Sequence, residues 1–283
     1  MSRWYTAFCQ AIRVGLFAVW LVVSGTGFAV AQRPAAHENF PETGPEVDVA
    51  LVLAVDISFS MDLTELNLQR EGYIEALTSP LVLETIRKGM IGKIAVTYVE
   101  WAGVHTRHII ADWEIIEDKA SAEAFVQKLR DAPIRRARRT SISTAIDLGI
   151  DQLKAAPVRP IRRVIDISGD GPNNEGRIVT LARDHAVEAG VVINGLPIVL
   201  QRGGFRSPYD VDGLDDYYRD CVIGGPGSFM IVINERDQFA PAIKQKILRE
   251  IAQSSQNDVT APARGNSDCR AGEQQWQRNW ERN

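Results

Sequence analysis

The sequence predicts an α/β fold in which a doubly wound, mostly parallel sheet carries one antiparallel edge strand and helices on both faces. Residues 47–56 form a nearly continuous Val, Leu and Ala run, as expected for a central parallel strand buried on both faces. Strand-like and helix-like patterns then alternate as far as residue 253. The 283 residues are 45% hydrophobic and 24% charged, which is enough material for one substantial core.

The first half of the predicted domain supplies a helix, a hairpin and a second helix. Apolar residues recur at helical spacing in residues 63–77, directly after the N-cap candidate Asp62. Residues 93–101 and 108–116 predict two strands that pair as an antiparallel hairpin at a sheet edge. A short helix follows around Phe125.

The second half continues the alternation to the end of the domain. An apolar stripe at residues 142–153 describes a helix that Thr140 and Ser141 can cap. Further strands are predicted at residues 163–168, 191–200 and 229–233, and further helices at 178–189 and 239–251. This order is Rossmann-like.

The N-terminus, residues 1–31, has the pattern of a cleaved secretory signal peptide. Arg3 and Arg13 precede an uncharged stretch at residues 14–31, and an Ala-Val-Ala triplet puts the expected cut after Ala31. The alternative is an uncleaved membrane anchor, because 18 uncharged residues reach the lower limit for spanning a bilayer. A Ser-Gly-Thr-Gly segment shortens the apolar core and favours cleavage. We therefore expect a secreted or periplasmic protein.

The remaining chain divides into a linker, a domain and a tail. Residues 32–46 are rich in Pro, Glu and Gly without an apolar period, which indicates a linker. The domain spans residues 47–253. Residues 254–283 form a polar C-terminal tail with Trp276 and Trp280 near its end.

Cysteine usage agrees with export. Cys9 leaves with the signal peptide, so Cys221 and Cys269 are the thiols of the mature chain, and two cysteines in an oxidising compartment usually pair. A bridge across 47 intervening residues would stabilise by about 4 kcal/mol on the chain-entropy model. The alternative is two unlinked thiols, one buried and one in the tail.

Five oxygen-bearing residues lie where hydrophobic segments give way to polar residues or a helix start: Asp56, Ser58, Ser60, Thr140 and Asp170. The carboxyl ends of parallel strands meet at one sheet edge, so we expect these side chains to gather there. Carboxylates and hydroxyls are hard ligands, which favours Mg²⁺, with Mn²⁺ or Ca²⁺ as alternatives, over a zinc-thiolate site. A site with two acids and three hydroxyls normally leaves a position that an acid of a partner can take.

Alternation along the first loop supports this ligand set. In an extended segment Asp56, Ser58 and Ser60 point one way, while Ile57 and Phe59 point back to the core.

The Asp-Ile-Ser-Phe-Ser run, the later threonine and the Asp-Gly pair resemble the metal-ion-dependent adhesion site of von Willebrand factor A domains. The resemblance implies that Ser58, Ser60 and Thr140 ligate the cation, with Asp56 and Asp170 acting directly or through water. The order of elements is similar as well. The Ser-Gly-Asp-Gly-Pro-Asn-Asn stretch further looks like a group of exported bacterial von Willebrand A proteins of undetermined function.

One departure from that family concerns Arg138 and Arg139, which stand where many members have glycines. The functional interpretation is a positive rim that draws acidic ligands to the metal. The alternative is a solvated charge run that faces acidic residues elsewhere in the chain.

The leading functional hypothesis is an exported binding module that captures an Asp or Glu carboxylate of another protein through the bound cation. The alternatives are a metal-assisted phosphoester hydrolase and a structural domain whose metal only stabilises loops. No base, nucleophile and oxyanion constellation is recognised, so we expect no enzyme. The formal charge of −4 argues against a nucleic-acid partner.

Overall fold

A five-stranded sheet forms the centre of the protein. The computed structural model describes residues 39–200, 213–252, 265 and 267–281, so the predicted signal peptide lies outside the described residues. The strands are β1 (Glu46–Asp56), β2 (Ile94–Trp101), β3 (Arg107–Ile116), β4 (Arg159–Gly169) and β5 (Val191–Pro197). Their order in the sheet is β3-β2-β1-β4-β5.

The sheet is parallel except at one edge. β1 pairs in parallel with β2 and β4, β4 pairs in parallel with β5, and β3 pairs with β2 in the antiparallel sense. This confirms the predicted mostly parallel sheet with one antiparallel edge strand. β1 lies in the middle and is buried from Val47 to Asp56, which explains its unbroken apolar run.

Helices cover both faces. They are α1 (Leu63–Thr78), α2 (Pro80–Arg87), α3 (Lys119–Asp131), α4 (Ile142–Ala155), α5 (Val179–Glu188), the single turn α6 (Leu214–Tyr217), α7 (Phe239–Ala252) and α8 (Ala271–Glu281). A π-helical turn, Tyr218–Val222, continues α6, and a 3₁₀ turn, Arg236–Gln238, precedes α7. None of the helices in the described ranges combines the length and apolar character that a membrane span requires.

The side chains of β1 alternate between two hydrophobic layers. Leu51 and Leu53 pack into a layer with α1, α2, α3 and α7. Val52 and Ala54 pack into a layer with α4, α5 and the α6 region. The central strand is therefore sandwiched between helices, and its carboxyl end opens onto loops that both layers position.

Two local features differ from the sequence-based prediction. Helix α2 was not predicted, although Ser79 caps it by accepting a hydrogen bond from the Val82 amide and Pro80 opens it. The predicted strand at residues 229–233 is wrong, because this segment makes only isolated bridges beside β5. Pro197 has no N–H to donate at the middle of that pairing, so the ladder does not continue there.

A disulfide joins Cys221, in the π-helical turn, to Cys269, directly before α8. Their Cα atoms are 5.5 Å apart, an ordinary separation for a bridge. The polar tail predicted from the sequence thus contains a helix that is covalently tied to the domain. Residues 253–264 and the Trp280 side chain lie outside the described part of the chain.

A buried ionic cluster lies between β4 and α7. Lys246 Nζ contacts Asp166 at 2.7 Å and Glu250 at 2.5 Å, and all three side chains are almost fully buried. Burial raises the pKa of Glu250 to about 7, and the Asp166 charge adds to the rise while Lys246 opposes it. Two carboxyl groups thus share one ammonium group without full compensation of their charges.

Candidate metal centre

The carboxyl ends of β1 and β4 bring the two predicted aspartates to one edge of the sheet. Asp56 is the last residue of β1, and Asp170 directly follows β4. The strands are parallel neighbours, with Val55 opposite Ser168, so the two chains leave the sheet side by side. This is the position at which open α/β sheets bind ligands.

The serine turn after β1 connects directly to Asp170. The Ser58 amide donates to Asp56 Oδ1 at 2.7 Å, and the hydroxyl oxygens of Ser58 and Ser60 are 2.8 Å apart. The Ser60 hydroxyl donates to Asp170 Oδ1 at 2.5 Å. The structure therefore links four of the five predicted residues in one chain of hydrogen bonds.

Ile57 and Phe59 were both predicted to face the core, and the structure confirms this for Ile57 only. Ile57 is buried, whereas Phe59 is 50% exposed. The Met61 amide donates to the Ser58 carbonyl, so the backbone turns at this point and the alternation of an extended chain ends. Arg136 stacks on the exposed Phe59 ring, with its guanidinium carbon 5.2 Å from the ring centre.

Thr140, the fifth predicted residue, sits on the loop that leads into α4. Its amide donates to Asn174 Oδ1 at 3.0 Å, and its carbonyl accepts from the Asn174 amide at 2.8 Å. Its hydroxyl oxygen lies 3.8 Å from the point where a Cβ on Gly171 would stand. Thr140 thus lies beside the Asp170-Gly171 pair, and all five predicted residues meet at this edge.

The two rim arginines differ in their surroundings. Arg138 is exposed, while Arg139 is half-buried with its guanidinium carbon 3.2 Å from the centre of the Trp276 ring. Arg139 also has a φ of 75°, a left-handed conformation that a glycine would adopt without strain. The two arginines therefore differ, since Arg138 is exposed and Arg139 is stacked against α8.

Helix α8 packs on the loop that follows Asp170. A Cβ on Gly272 would stand 2.1 Å from the Asn173 carbonyl oxygen, so the helix backbone approaches the loop closely. Asn173 Nδ2 donates to Glu273 Oε1 at 2.8 Å, and Asn173 Oδ1 accepts from the Ser143 amide. No local pattern in the sequence marks Asn173 or Glu273 as neighbours of the site, because their contact depends on the position of α8.

The electrostatics of the site fit a cation. Asp56 is fully buried, and burial raises its pKa well above its usual range, with the nearby Asp170 charge adding to the rise and the Ser58 amide partly opposing it. Asp56 Oδ2 has no hydrogen-bond partner among the described residues. A buried carboxylate oxygen that lacks a donor is a group that a cation would compensate.

The donor set determines which cation would fit. Among the described residues, no group of three or more His, Cys, Asp or Glu is placed to hold a metal. A metal at this edge would therefore depend on two carboxylates and on the hydroxyls of Ser58, Ser60 and Thr140. Such all-oxygen sets suit Mg²⁺, Mn²⁺ or Ca²⁺.

Tyr218 is a site neighbour that the sequence analysis missed. It opens the π-helical turn, is fully buried, and its hydroxyl has no partner among the described residues. Burial, followed by the charges of Asp56 and Asp170, raises its pKa well above the usual value, so the phenol stays neutral. No local pattern marks it, because Tyr218 is 162 positions after Asp56 and reaches the site only through the fold.

The family model described as "protein of unknown function (DUF1194)" matches residues 46–255 of the chain. The chain belongs to this family. No curated relative matches the DUF1194 chain by sequence.

Solved structures place this DUF1194 domain among von Willebrand factor A-like folds. Proximal thread matrix protein 1 from the mussel byssus aligns with a TM-score of 0.54 and 13% identity over 74% of this chain and 49% of that one. The same protein with a zinc-occupied MIDAS motif aligns at 0.51 with 12% identity, over the same shares of the two chains.

The pilus adhesin SpaC from Lactobacillus rhamnosus GG aligns at 0.55 and 12% identity, over 76% of this chain and 32% of SpaC. The chain spans about half the length of the byssus protein and about a third of SpaC. At these identities the likeness concerns the fold, and it confirms the predicted von Willebrand factor A-like architecture.

Proposed function

We propose that this domain is an exported protein-binding module of the adhesion type, which captures an acidic group of a partner through a bound divalent cation. The observation that carries the proposal is the unpartnered, buried Asp56 Oδ2 beside a hydrogen-bonded cluster of hydroxyl and carboxylate oxygens. Similarity of fold to an adhesin and to a matrix protein with a zinc-occupied MIDAS supports it.

Ser58, Ser60 and Thr140 would hold the cation directly, with Asp56 and Asp170 acting directly or through water. Mg²⁺ is the proposed cation, and Mn²⁺ or Ca²⁺ are the alternatives. Such a cation supplies an electrophilic position for an incoming Asp or Glu carboxylate. Because only two acids contribute, their charges balance that of the cation without exceeding it, and the open coordination position would still present a positive field to a partner carboxylate.

The exposed Arg138, together with Arg136, which stacks on Phe59 of the serine turn, would strengthen that field. Surface charges act mainly on the association rate and its dependence on salt. Replacing Arg138 and Arg139 with Ser should therefore lower the association rate at low salt and flatten its salt dependence. An unchanged dependence of the association rate on salt would show that Arg138 and Arg139 do not attract the ligand.

The proposal is tested by affinity capture from a bacterial envelope extract. Wild type and Asp56→Ala are compared in Mg²⁺ and in EDTA, with Asp151→Ala as a matched control because Asp151 is exposed on α4. Wild type and Asp151→Ala should retain the same protein in Mg²⁺ and lose it in EDTA. Asp56→Ala should not retain this partner protein in either condition. Excess free aspartate should displace the partner protein from wild type in Mg²⁺.

Two other outcomes would replace the proposal. Recovery of the same proteins with and without Mg²⁺, combined with a lower melting temperature in EDTA, would identify a metal that only stabilises loops. Turnover of phosphoesters in Mg²⁺ or Mn²⁺ that Asp56→Ala abolishes would identify a hydrolase.

Export is the proposed setting of this activity. The disulfide between Cys221 and Cys269 is compatible with a secreted or periplasmic protein. Cleavage after Ala31 and the alternative of an N-terminal anchor concern residues outside the described part of the chain. Mass spectrometry of the protein recovered from the envelope would show whether the mature chain begins at Gln32.

A further inference from the structure

Two buried oxygens without hydrogen-bond partners converge on the last residue of β4. Asp56 Oδ2 and the Tyr218 hydroxyl each lie 2.9 Å from the point where a Cβ on Gly169 would stand. The distance between the two oxygens therefore cannot exceed twice that value. Both are buried and lack a partner among the described residues.

The two oxygens are not hydrogen-bonded to each other directly, and one water can bridge two oxygens within this limit. A neutral phenol can donate, and an ionised carboxylate can only accept, so the two groups are complementary. Gly169 keeps the path between them open, because any larger residue would place its Cβ closer than 3.0 Å to both oxygens.

We propose that Tyr218 is a positioning residue of the metal centre, whose hydroxyl donates to Asp56 Oδ2 through one water in the metal-bound protein. The inference depends on the proposed function, since it assigns Tyr218 to that same site. Donors behind a metal-binding carboxylate fix its orientation, and their loss typically weakens metal binding about 10- to 100-fold.

The backbone around Tyr218 is suited to such a role. Tyr218 begins a π-helical turn, an irregularity that is frequent at functional sites. Cys221 in the same turn forms the disulfide, so the turn is covalently fixed to the segment before α8. The disulfide therefore anchors the backbone that carries the Tyr218 ring.

The test compares Tyr218→Phe with Tyr73→Phe, a matched control that removes another fully buried hydroxyl, which donates to Asp166 instead. Mg²⁺ affinity is measured by titration calorimetry, and the melting temperature is measured in EDTA. Tyr218→Phe should bind Mg²⁺ about 10- to 100-fold more weakly, while its melting temperature in EDTA does not fall. Tyr73→Phe should bind Mg²⁺ as wild type does.

The remaining outcomes overturn the inference in distinguishable ways. Unchanged Mg²⁺ affinity in Tyr218→Phe would remove Tyr218 from the site and leave the proposed function standing. Weaker affinity together with a lower melting temperature in EDTA would show a merely structural role. A wild type that binds none of Mg²⁺, Mn²⁺ or Ca²⁺ would overturn the proposed function itself.

Discussion

Replacing Asp56 with Asn should abolish the stabilisation of the domain by metal without destabilising the metal-free protein. The side chain is fully buried, burial raises its pKa, and one of its oxygens lacks a partner, so the ionised carboxylate destabilises the metal-free protein at neutral pH. Asn removes that charge and keeps an oxygen to accept from the Ser58 amide. Asp56→Asn should therefore be at least as stable as wild type in EDTA.

The expected magnitude follows from linkage. A ligand at 100 times its dissociation constant stabilises a protein by about 2.7 kcal/mol. For a domain of about 200 residues each kcal/mol shifts the melting temperature by about 2–4 °C, so saturating Mg²⁺ should raise that of wild type by about 5–11 °C. Asp56→Asn should show a shift below about 1 °C, since the site has lost a charge that attracts the cation.

The assay is thermal unfolding followed by circular dichroism at neutral pH, in EDTA and in Mg²⁺, with NaCl of equal ionic strength as the salt control. Asp151→Asn controls for the loss of an exposed carboxylate on α4. An equal Mg²⁺ shift in wild type and Asp56→Asn would refute the reasoning. So would a clear loss of stability of Asp56→Asn in EDTA, because it would mean that the carboxylate stabilises the metal-free fold.

Two further predictions concern the disulfide and the buried cluster. Replacing Cys221 and Cys269 with Ser opens a loop of sequence separation 48 and should lower the free energy of unfolding by about 4 kcal/mol, measured with urea, while an unchanged midpoint would contradict this. The raised pKa of Glu250, about 7, means that the folded state binds its proton more tightly than the unfolded state. The free energy of unfolding should therefore fall as pH rises from about 4.5 to 7. Glu250→Gln should flatten this part of the plot of unfolding free energy against pH. Parallel curves for wild type and Glu250→Gln would contradict the assignment of this titration to Glu250.

The sequence was most informative where local pattern and burial coincide. The central strand could be predicted because burial on both faces requires an unbroken apolar run, and the hairpin because two strands flank a glycine turn. Helix α2 was missed because its start at Ser79 directly follows the end of α1, so one periodic segment hides another. The prediction of a strand at residues 229–233 was wrong because its neighbour, β5, contains Pro197, which lacks an N–H to donate. No local pattern at residues 229–233 reveals this.

The residues of the candidate site likewise divide into those that a local pattern marks and those that only the fold brings to the site. Asp56, Ser58 and Ser60 were predictable since they share one loop, and Asp170 because parallel strands end at a common edge. Tyr218 could not be found in this way, because its position depends on α6 and the π-helical turn folding over the end of β4. Burial of an unpaired oxygen becomes visible only in three dimensions.

The disulfide between Cys221 and Cys269 makes the support of the loop beside Asp170 depend on the compartment in which the chain folds. Without the bond, α8 keeps only noncovalent contacts with this loop, such as those that Gly272 and Glu273 make with Asn173, while Asn173 also retains its hydrogen bonds with the Ser143 amide and the Tyr217 hydroxyl. Protein made in a reducing cytoplasm would therefore lack the covalent part of the support for the loop beside Asp170. Recombinant material should be oxidised, and its bond verified, before any affinity is measured.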